Sequence, residues 1–511
     1  MVYLGDTCMQ WRPVTDRIMR RSAVSLLLLA LTTPPVWALV STNVPLGHWS
    51  YGAVEKLADY GLIDSSMLTI KPLSRVEMAR HIAQAMYTLD AMENPPAILL
   101  AIVERLKEEF REELILIGIL DGSYGGSSIK PVEDPYVAYL YARHRPDLES
   151  MRGDVFGQGS NFRAGFASRM KLFDTAAFYV HPEYAYSPRI DDDVDLIEAY
   201  GKVMVGWLEV EAGQDSLRWG PGAHGAILIS DNVRPLKMVK LSNPQPLQLP
   251  WILRYLGPFK GEWFLAELEE DRDVPEAKLS GVRVNIKPLP LVELGASRVV
   301  MFGGHGMPHV DLFDYAKLFV AWEEQPADNQ LAGFDFSVLL PLPEAVPLRA
   351  VKLYGDLAGE DAANGLPSKW GKLWGLQLSD ILRTGRTDLR IEYANDHVVG
   401  YPNVFYTHSI YSSGYTYEGR IIGHHMGTDS SDLFVQLSHY LTADMVVALA
   451  YDREVHSLSA DTQPAENIFE GSLLLFPSRD WWIRAGYRYE KGEEGGEDEN
   501  HIFHVELVRR F

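Results

Sequence analysis

The 511-residue sequence contains a single cysteine, Cys8. It lies ahead of the apolar core of an N-terminal leader, so the exported chain has neither a disulfide nor a thiol nucleophile. Beyond the leader there is no uninterrupted apolar run of about 20 residues, which excludes a transmembrane helix. Basic residues are scarce beside acidic ones, 47 Lys and Arg against 69 Asp and Glu, for a formal charge of −22. The phosphates of a nucleic acid would be repelled, and that class of partner is excluded. Hydrolase signatures are missing as well, since Asp396 and His397 have no G-x-S-x-G nucleophile beside them. His397, His408, His424 and His425 lack the H-x-x-E-H or i,i+4 arrangement of metal ligands. Adjacent histidines on a strand point to opposite faces, so His424 and His425 are not expected to share an ion. The expectation is a protein with no catalytic residues, no cofactor and no metal.

What the chain does contain is a period of two. Leu433, Val435 and Leu437, then Met445, Val447, Leu449 and Tyr451, are apolar at alternate positions. Trp481, Ile483, Ala485, Tyr487 and Tyr489 follow the same rule, as do Phe503, Val505 and Leu507. Each series is a strand with one oily and one polar face. Tight turns at 441–444 and 476–480 alternate with long acidic connections at 453–466 and 490–500. Two unlike ends are the mark of an up-and-down barrel, and aromatic residues near strand ends suit membrane-interface girdles. The pattern extends back to Pro135. Tight turns are expected at 173–175, 287–290, 340–343 and 383–386, and long polar loops at 187–195, 302–313, 358–369 and 395–419. The fold expected for residues 135–511 is a transmembrane antiparallel β-barrel of about 16–18 strands. A mean hydropathy of −0.10 is no objection, because barrel strands hide their apolar residues in alternate positions. Phe511, following an alternating strand, resembles the terminus that serves bacterial outer-membrane proteins as an assembly signal.

Residues 1–38 read as a secretory signal, with Arg17, Arg20 and Arg21 before the apolar stretch Ser22 to Leu31 and a small-x-small-like site at Val36-Trp37-Ala38. Translation starts at Met1 or Met19. Residues 39–90 form a small helical unit, in which one helix is stopped by Gly61 and a second is capped by Ser74 with Glu77 three residues on. Residues 91–134 add one more helix over 95–118, with Leu99, Val103, Leu106 and Phe110 in a stripe, and then a glycine-rich linker. The stripe suits either a coiled coil or a small helical bundle. The strings NVPLGHWSYGAVEKLADYGLID and PLSRVEMARHIAQAM resemble an S-layer homology domain. That resemblance implies a periplasmic unit that holds peptidoglycan or another wall polymer, with His48, Trp49, Arg75 and Glu77 as its contacts. Read from the residues alone, Trp49 is a core side chain and Ser74 and Glu77 are caps.

Two stretches depart from plain strands. In Asp215 to Gly222 a Gly-Pro-Gly turn displays Arg218 and Trp219, which suit a carboxylate and a sugar face; the other reading folds the turn into the lumen with Arg218 on a lumen carboxylate. Residues 392–427 collect Tyr393, Asn395, Asp396, His397, Tyr415, Tyr417 and His424, residue types that carbohydrate sites use. The runs RWGPGAHGAILISDN, LSNPQPLQLPWILRYLGPFKGEWF, IEYANDH and HSIYSSGYTYEGRIIGHHMG resemble the capsule assembly Wzi family. That likeness implies an outer-membrane lectin, not an enzyme, which helps attach capsular or other surface polysaccharide and sits in outer-membrane lipid with its helical part in the periplasm. The alternative is a wall-anchored porin for small solutes. A lumen filled by folded-in loops favours the lectin.

Overall fold

The computed structural model describes residues 39–511 apart from 124, 189, 312–313, 316–318, 320–327, 361, 364–365, 493–498 and 511. The leader expected over 1–38, with Cys8, therefore lies outside the described residues, as do the acidic run 493–498 and Phe511.

Eighteen antiparallel strands close into a barrel. They are β1 Ser128–Ala142, β2 Gly159–Leu172, β3 Ala176–Ser187, β4 Ile190–Val205, β5 Leu208–Asp215 and β6 Leu236–Ser242. Then come β7 Pro258–Glu267, β8 Lys278–Leu289, β9 Val292–Phe302, β10 Asp328–Pro341, β11 Leu348–Glu360 and β12 Trp370–Ile381. The last are β13 Thr387–Asn395, β14 Ser431–Thr442, β15 Met445–Val455, β16 Ala465–Ser478, β17 Trp481–Gly492 and β18 Glu499–Arg509. Closure is by β1 against β18, with Tyr136 opposite Val508 and Ala142 opposite Ile502. Alternation sets the faces. Leu449, Phe469, Tyr487 and Phe503 are exposed on the outside, whereas Asp452, Arg488 and Glu490 are buried on the inside.

At one end the connections are short. In the three-residue connection between Leu172 and Ala176, Phe173 and Asp174 both take positive φ, 49° and 58°, which turns the chain sharply. One connection at this end is long: residues 243–257 carry a 3₁₀ helix, Trp251–Leu256, whose Trp251, Ile252 and Tyr255 are exposed. Several boundaries differ from expectation; the turn expected at 340–343 is a connection over 342–347, and the loop expected over 395–419 runs on to 430. Residues 187–195 are not a long loop, because β3 and β4 run on and pair Glu183 with Asp195 and Ala185 with Asp193. Past the membrane rim both faces of a hairpin are wet, so polar residues there do not signal a loop. The first strand begins at Ser128, before Pro135. Register shifts between Lys130, Glu133 and Tyr136 accommodate Pro131 and Pro135, which cannot donate to a ladder.

The helical unit has four helices, α1 Ser50–Asp59, α2 Arg75–Asp90, α3 Ala97–Glu109 and α4 Arg111–Leu116. The capping box at Ser74 and Glu77 is formed on both sides. The single helix expected over 95–118 breaks at Phe110, where φ is −107° and ψ 25°. The apolar stripe serves a bundle: Leu99, Val103, Leu106 and Phe110 pack with Val54, Leu57 and Ile82, and with Phe476 and Trp482 of the barrel. Buried and part-buried polar contacts fix this bundle in the short-turn mouth. Glu77 pairs with Lys260 of β7 at 2.5 Å and Lys56 with Asp388 of β13 at 2.6 Å. Glu55 pairs with Lys352 of β11 at 2.6 Å, and Asn43 donates to Asp215 at 2.6 Å and accepts from Lys202 at 2.6 Å.

Candidate functional site

The lumen is filled from both ends by the chain itself. Residues 216–235, between β5 and β6, fold inward, and their Arg218-Trp219 pairs antiparallel with Ile70-Lys71 of the helical unit. Gly220 N donates to Thr69 O at 2.9 Å, extending this ladder. Barrel carboxylates hold the turn: Glu392 accepts from Ala223 N and His224 N at 2.7 and 3.0 Å, and Asp356 from Ile227 N at 2.9 Å. Residues 396–430, between β13 and β14, lie over it. Tyr406 donates to Ile227 O at 2.6 Å and Tyr415 to Leu228 O at 2.9 Å. One apolar cluster joins Trp219, Phe264, Tyr354, Phe405, Tyr406 and Tyr415. The glycines let the loops meet, since a Cβ on Gly225 would lie 2.3 Å from the His424 ring. A cavity of about 390 Å³ remains beside the plug; Pro45 and His48 of the helical unit line it at one end, Leu148 and Phe156 of the 143–158 loop at the other.

Most of the residues expected at a glycan are inside this plug. Arg218 pairs with Asp231 and donates to the carbonyls of Gly222 at 3.0 Å and Ala223 at 2.7 Å, so its guanidinium closes its own loop. Its carboxylate partner belongs to the same loop and not to the barrel wall. Trp219 is 1% exposed and donates to Glu262 at 2.7 Å. Tyr415, Tyr417, His424 and Asp396 are also buried. Tyr393 is exposed on the outward face of β13, where a bilayer would meet it. Asn395 and His397 lie at the rim, with Asn395 Oδ1 accepting from His397 N at 3.2 Å and His397 Nδ1 2.7 Å from Asp429 Oδ1. Beside them is Tyr401, within the stretch singled out in the sequence, exposed and with the Lys369 ammonium 5.1 Å over its ring.

The wall-binding candidates are interior too. Trp49 packs edge-on against Phe476 at 5.2 Å. Arg75, 5% exposed, donates to Glu113 at 2.8 Å and to the Glu109 carbonyl at 2.9 Å. Glu77 is spent on Ser74 and Lys260. His48 is half-buried, with Nδ1 2.7 Å from Ser50 Oγ. None of Trp49, Arg75 and Glu77 presents a free surface to a polymer, because Trp49 and Glu77 pack against the barrel and Arg75 is held within the bundle by Glu113 and the Glu109 carbonyl.

Burial sets the titration of the loop groups. It pushes Asp396 up to about 7, with the Asp429 carboxylate adding to the rise. It holds His424 well below the usual imidazole value, helped by the neighbouring His425 and His224. One group of potential metal ligands, His224, His425, Asp432 and Asp452, is assembled from two loops and two strands. Sequence spacing could not show it, although Asp432, Asp452 and Glu454 are acids at inward positions near the loop ends of their strands.

Residues 141–501 match the family model described as capsule assembly protein Wzi. The chain belongs to that family. As a member of it with a closed eighteen-strand barrel, it is an outer-membrane protein. Among solved structures it is similar to Wzi of Escherichia coli, with a TM-score of 0.71 and 20% identity over 93% of this chain and 100% of that one. That protein is described as a carbohydrate-binding β-barrel involved in group 1 capsule assembly. A relative from Klebsiella pneumoniae, an uncharacterized 55.8 kDa protein of the cps region, is 33% identical over 175 residues. The match spans 33% of this chain and 34% of that relative's length.

Proposed function

We propose that this Wzi-family barrel is a lectin-like outer-membrane protein that assists the attachment of capsular or other surface polysaccharide. The observation that carries the reading is the strand pairing of Ile70-Lys71 with Arg218-Trp219 inside the lumen. A barrel crossed by its own chain is built to hold something at its outer rim, and it is ill suited to pass solutes, which weighs against a porin. The glycan contacts are Asn395, His397 and Tyr401 at the rim of the 396–430 loop, with Lys369 beside the Tyr401 ring. This set offers an aromatic face, an amide, an imidazole and a cation, which together suit a sugar bearing a carboxylate. Trp219, Tyr415 and His424 serve the site by fixing the loop from beneath. The helical unit is periplasmic and seats the plug, and its contact with a wall polymer uses the side of the bundle turned away from the barrel.

The test is complementation of a deletion strain. Wild type restores surface glycan, and Tyr401→Ala combined with His397→Ala does not, while the variant barrel assembles and resists protease normally. Normal glycan display by that double variant would move the site elsewhere.

A further inference from the structure

His224 reaches the wall from the loop between β5 and β6, and His425 from the loop between β13 and β14. Both meet Asp432 of β14 and Asp452 of β15, which point into the barrel. One ligand atom of each of these four residues lies within 4.8 Å of all the others. His425 Nε2 is 3.1 Å from Asp432 Oδ2, His224 Nε2 is 3.1 Å from Asp452 Oδ2, and His224 Nε2 is 3.7 Å from Asp432 Oδ2. Zinc bonded to nitrogen and oxygen at about 2.0–2.1 Å in a tetrahedron separates its donor atoms by about 3.3 Å. The spacings bracket that value.

A second observation is independent of spacing. The side chains of His425 and Asp432 are 5% and 2% exposed. Yet both ring nitrogens of His425, both carboxylate oxygens of Asp432 and Oδ1 of Asp452 make no hydrogen bond. Buried polar atoms that make no hydrogen bond are costly, and one nitrogen of His425 and one oxygen each of Asp432 and Asp452 face the same point as His224. Glu454 adds a third carboxylate, its Oε1 3.2 Å from His425 Nε2. Arg218 and Arg488, cations of the same region, are paired with Asp231 and with Glu149 and Glu490. The His224 ring is held by stacking on Phe434 at 4.0 Å. Two imidazoles and two carboxylates are a donor set for zinc or a similar transition ion, in contrast to the all-oxygen shells of calcium and magnesium.

We propose that His224, His425, Asp432 and Asp452 bind one zinc-like divalent ion, which pins both plug loops to the barrel wall. Glu454 lies next to the set as a further carboxylate, and His424, with Nε2 3.8 Å from Asp432 Oδ2, stands at its edge. The proposal does not depend on the glycan reading.

The test uses the full chain, purified in detergent, stripped with a chelator and dialysed, then titrated with ZnCl2 or CoCl2. The expected results are one zinc per chain by elemental mass spectrometry, a rise in Tm, slower proteolysis of the 396–430 loop, and the visible absorption of tetrahedral Co2+. His224→Ala and Asp452→Asn lose the ion while keeping the heat-modifiable migration of a folded barrel; if either fails to fold, His425→Gln reports on the same set. His397→Ala, whose ring is paired with Asp429, retains it. Stripped wild type that takes up neither Zn2+ nor Co2+ at equimolar concentration, or a His224→Ala variant that binds as wild type does, overturns the proposal.

Discussion

Asp396 shows how much of this molecule is decided one side chain at a time. Its Oδ1 accepts from Ser430 N at 2.7 Å, and its other oxygen has no partner. Burial raises it to about 7, against an ordinary value near 3.9. A carboxyl raised in the folded state contributes stability below its unfolded value, and that contribution is lost as pH climbs to about 7. Asp396→Asn keeps the acceptor and removes the charge. It should therefore raise Tm at pH 8, by up to about 4 kcal/mol in free energy, and leave Tm unchanged at pH 4. Equal Tm values at both pH values would count against this assignment. At this scale the sequence was partly legible. Arg218 and Trp219 stood out because a Gly-Pro-Gly turn has no place in a strand, but whether they faced sugar or lumen depended on Asp231 and Glu262, at contacts no local pattern encodes. His224 carried no signal at all, since the partners of its ring, Asp432, Asp452 and Phe434, lie more than two hundred residues along the chain.

Helix α2 behaves as a hinge pin between the bundle and the wall. Its capping box was readable from Ser74 and Glu77, and Ser74→Ala should cost about 1 kcal/mol, seen as a lower Tm of the helical unit. What could not be read is that the Glu77 carboxylate also takes up Lys260. The same holds for Glu113 of α4: burial alone would raise it, but the Arg75 and Arg169 guanidiniums hold it well below the usual carboxylate range. Its contribution is present above that range and lost as pH falls through it. Burial lowers His81 to about 4, so the folded unit keeps a neutral ring, and stability declines as pH falls from about 6.5 to about 4. The helical unit should thus loosen in acid before the barrel does. Trypsin cleavage between α1 and α3 should rise between pH 7 and pH 5 while far-ultraviolet circular dichroism of the strands holds, and His81→Leu should blunt the rise. Strands were the most legible elements, because the period of two survives in every one from β14 to β18. Residues 187–195 misled because wet hairpin ends and loops share a composition.

For the molecule as a whole, the closed barrel and its two unlike ends follow from alternation and loop length. The plug does not, because it is made by a helical unit and two loops that meet only in three dimensions. A lumen so filled should give no steady conductance in planar bilayers, whereas Trp219→Ala with Tyr415→Ala, which empties the shared apolar cluster, should give intermittent openings; sustained conductance in wild type would return the porin reading. The ladder that joins Ile70-Lys71 to Arg218-Trp219 has a mechanical consequence. Tension applied by a long polymer at the cell surface would pass down the axis into the helical bundle, which is tied to several strands at once. The load would then be shared by the whole cylinder, so that a tether under shear grips the envelope from its inner side.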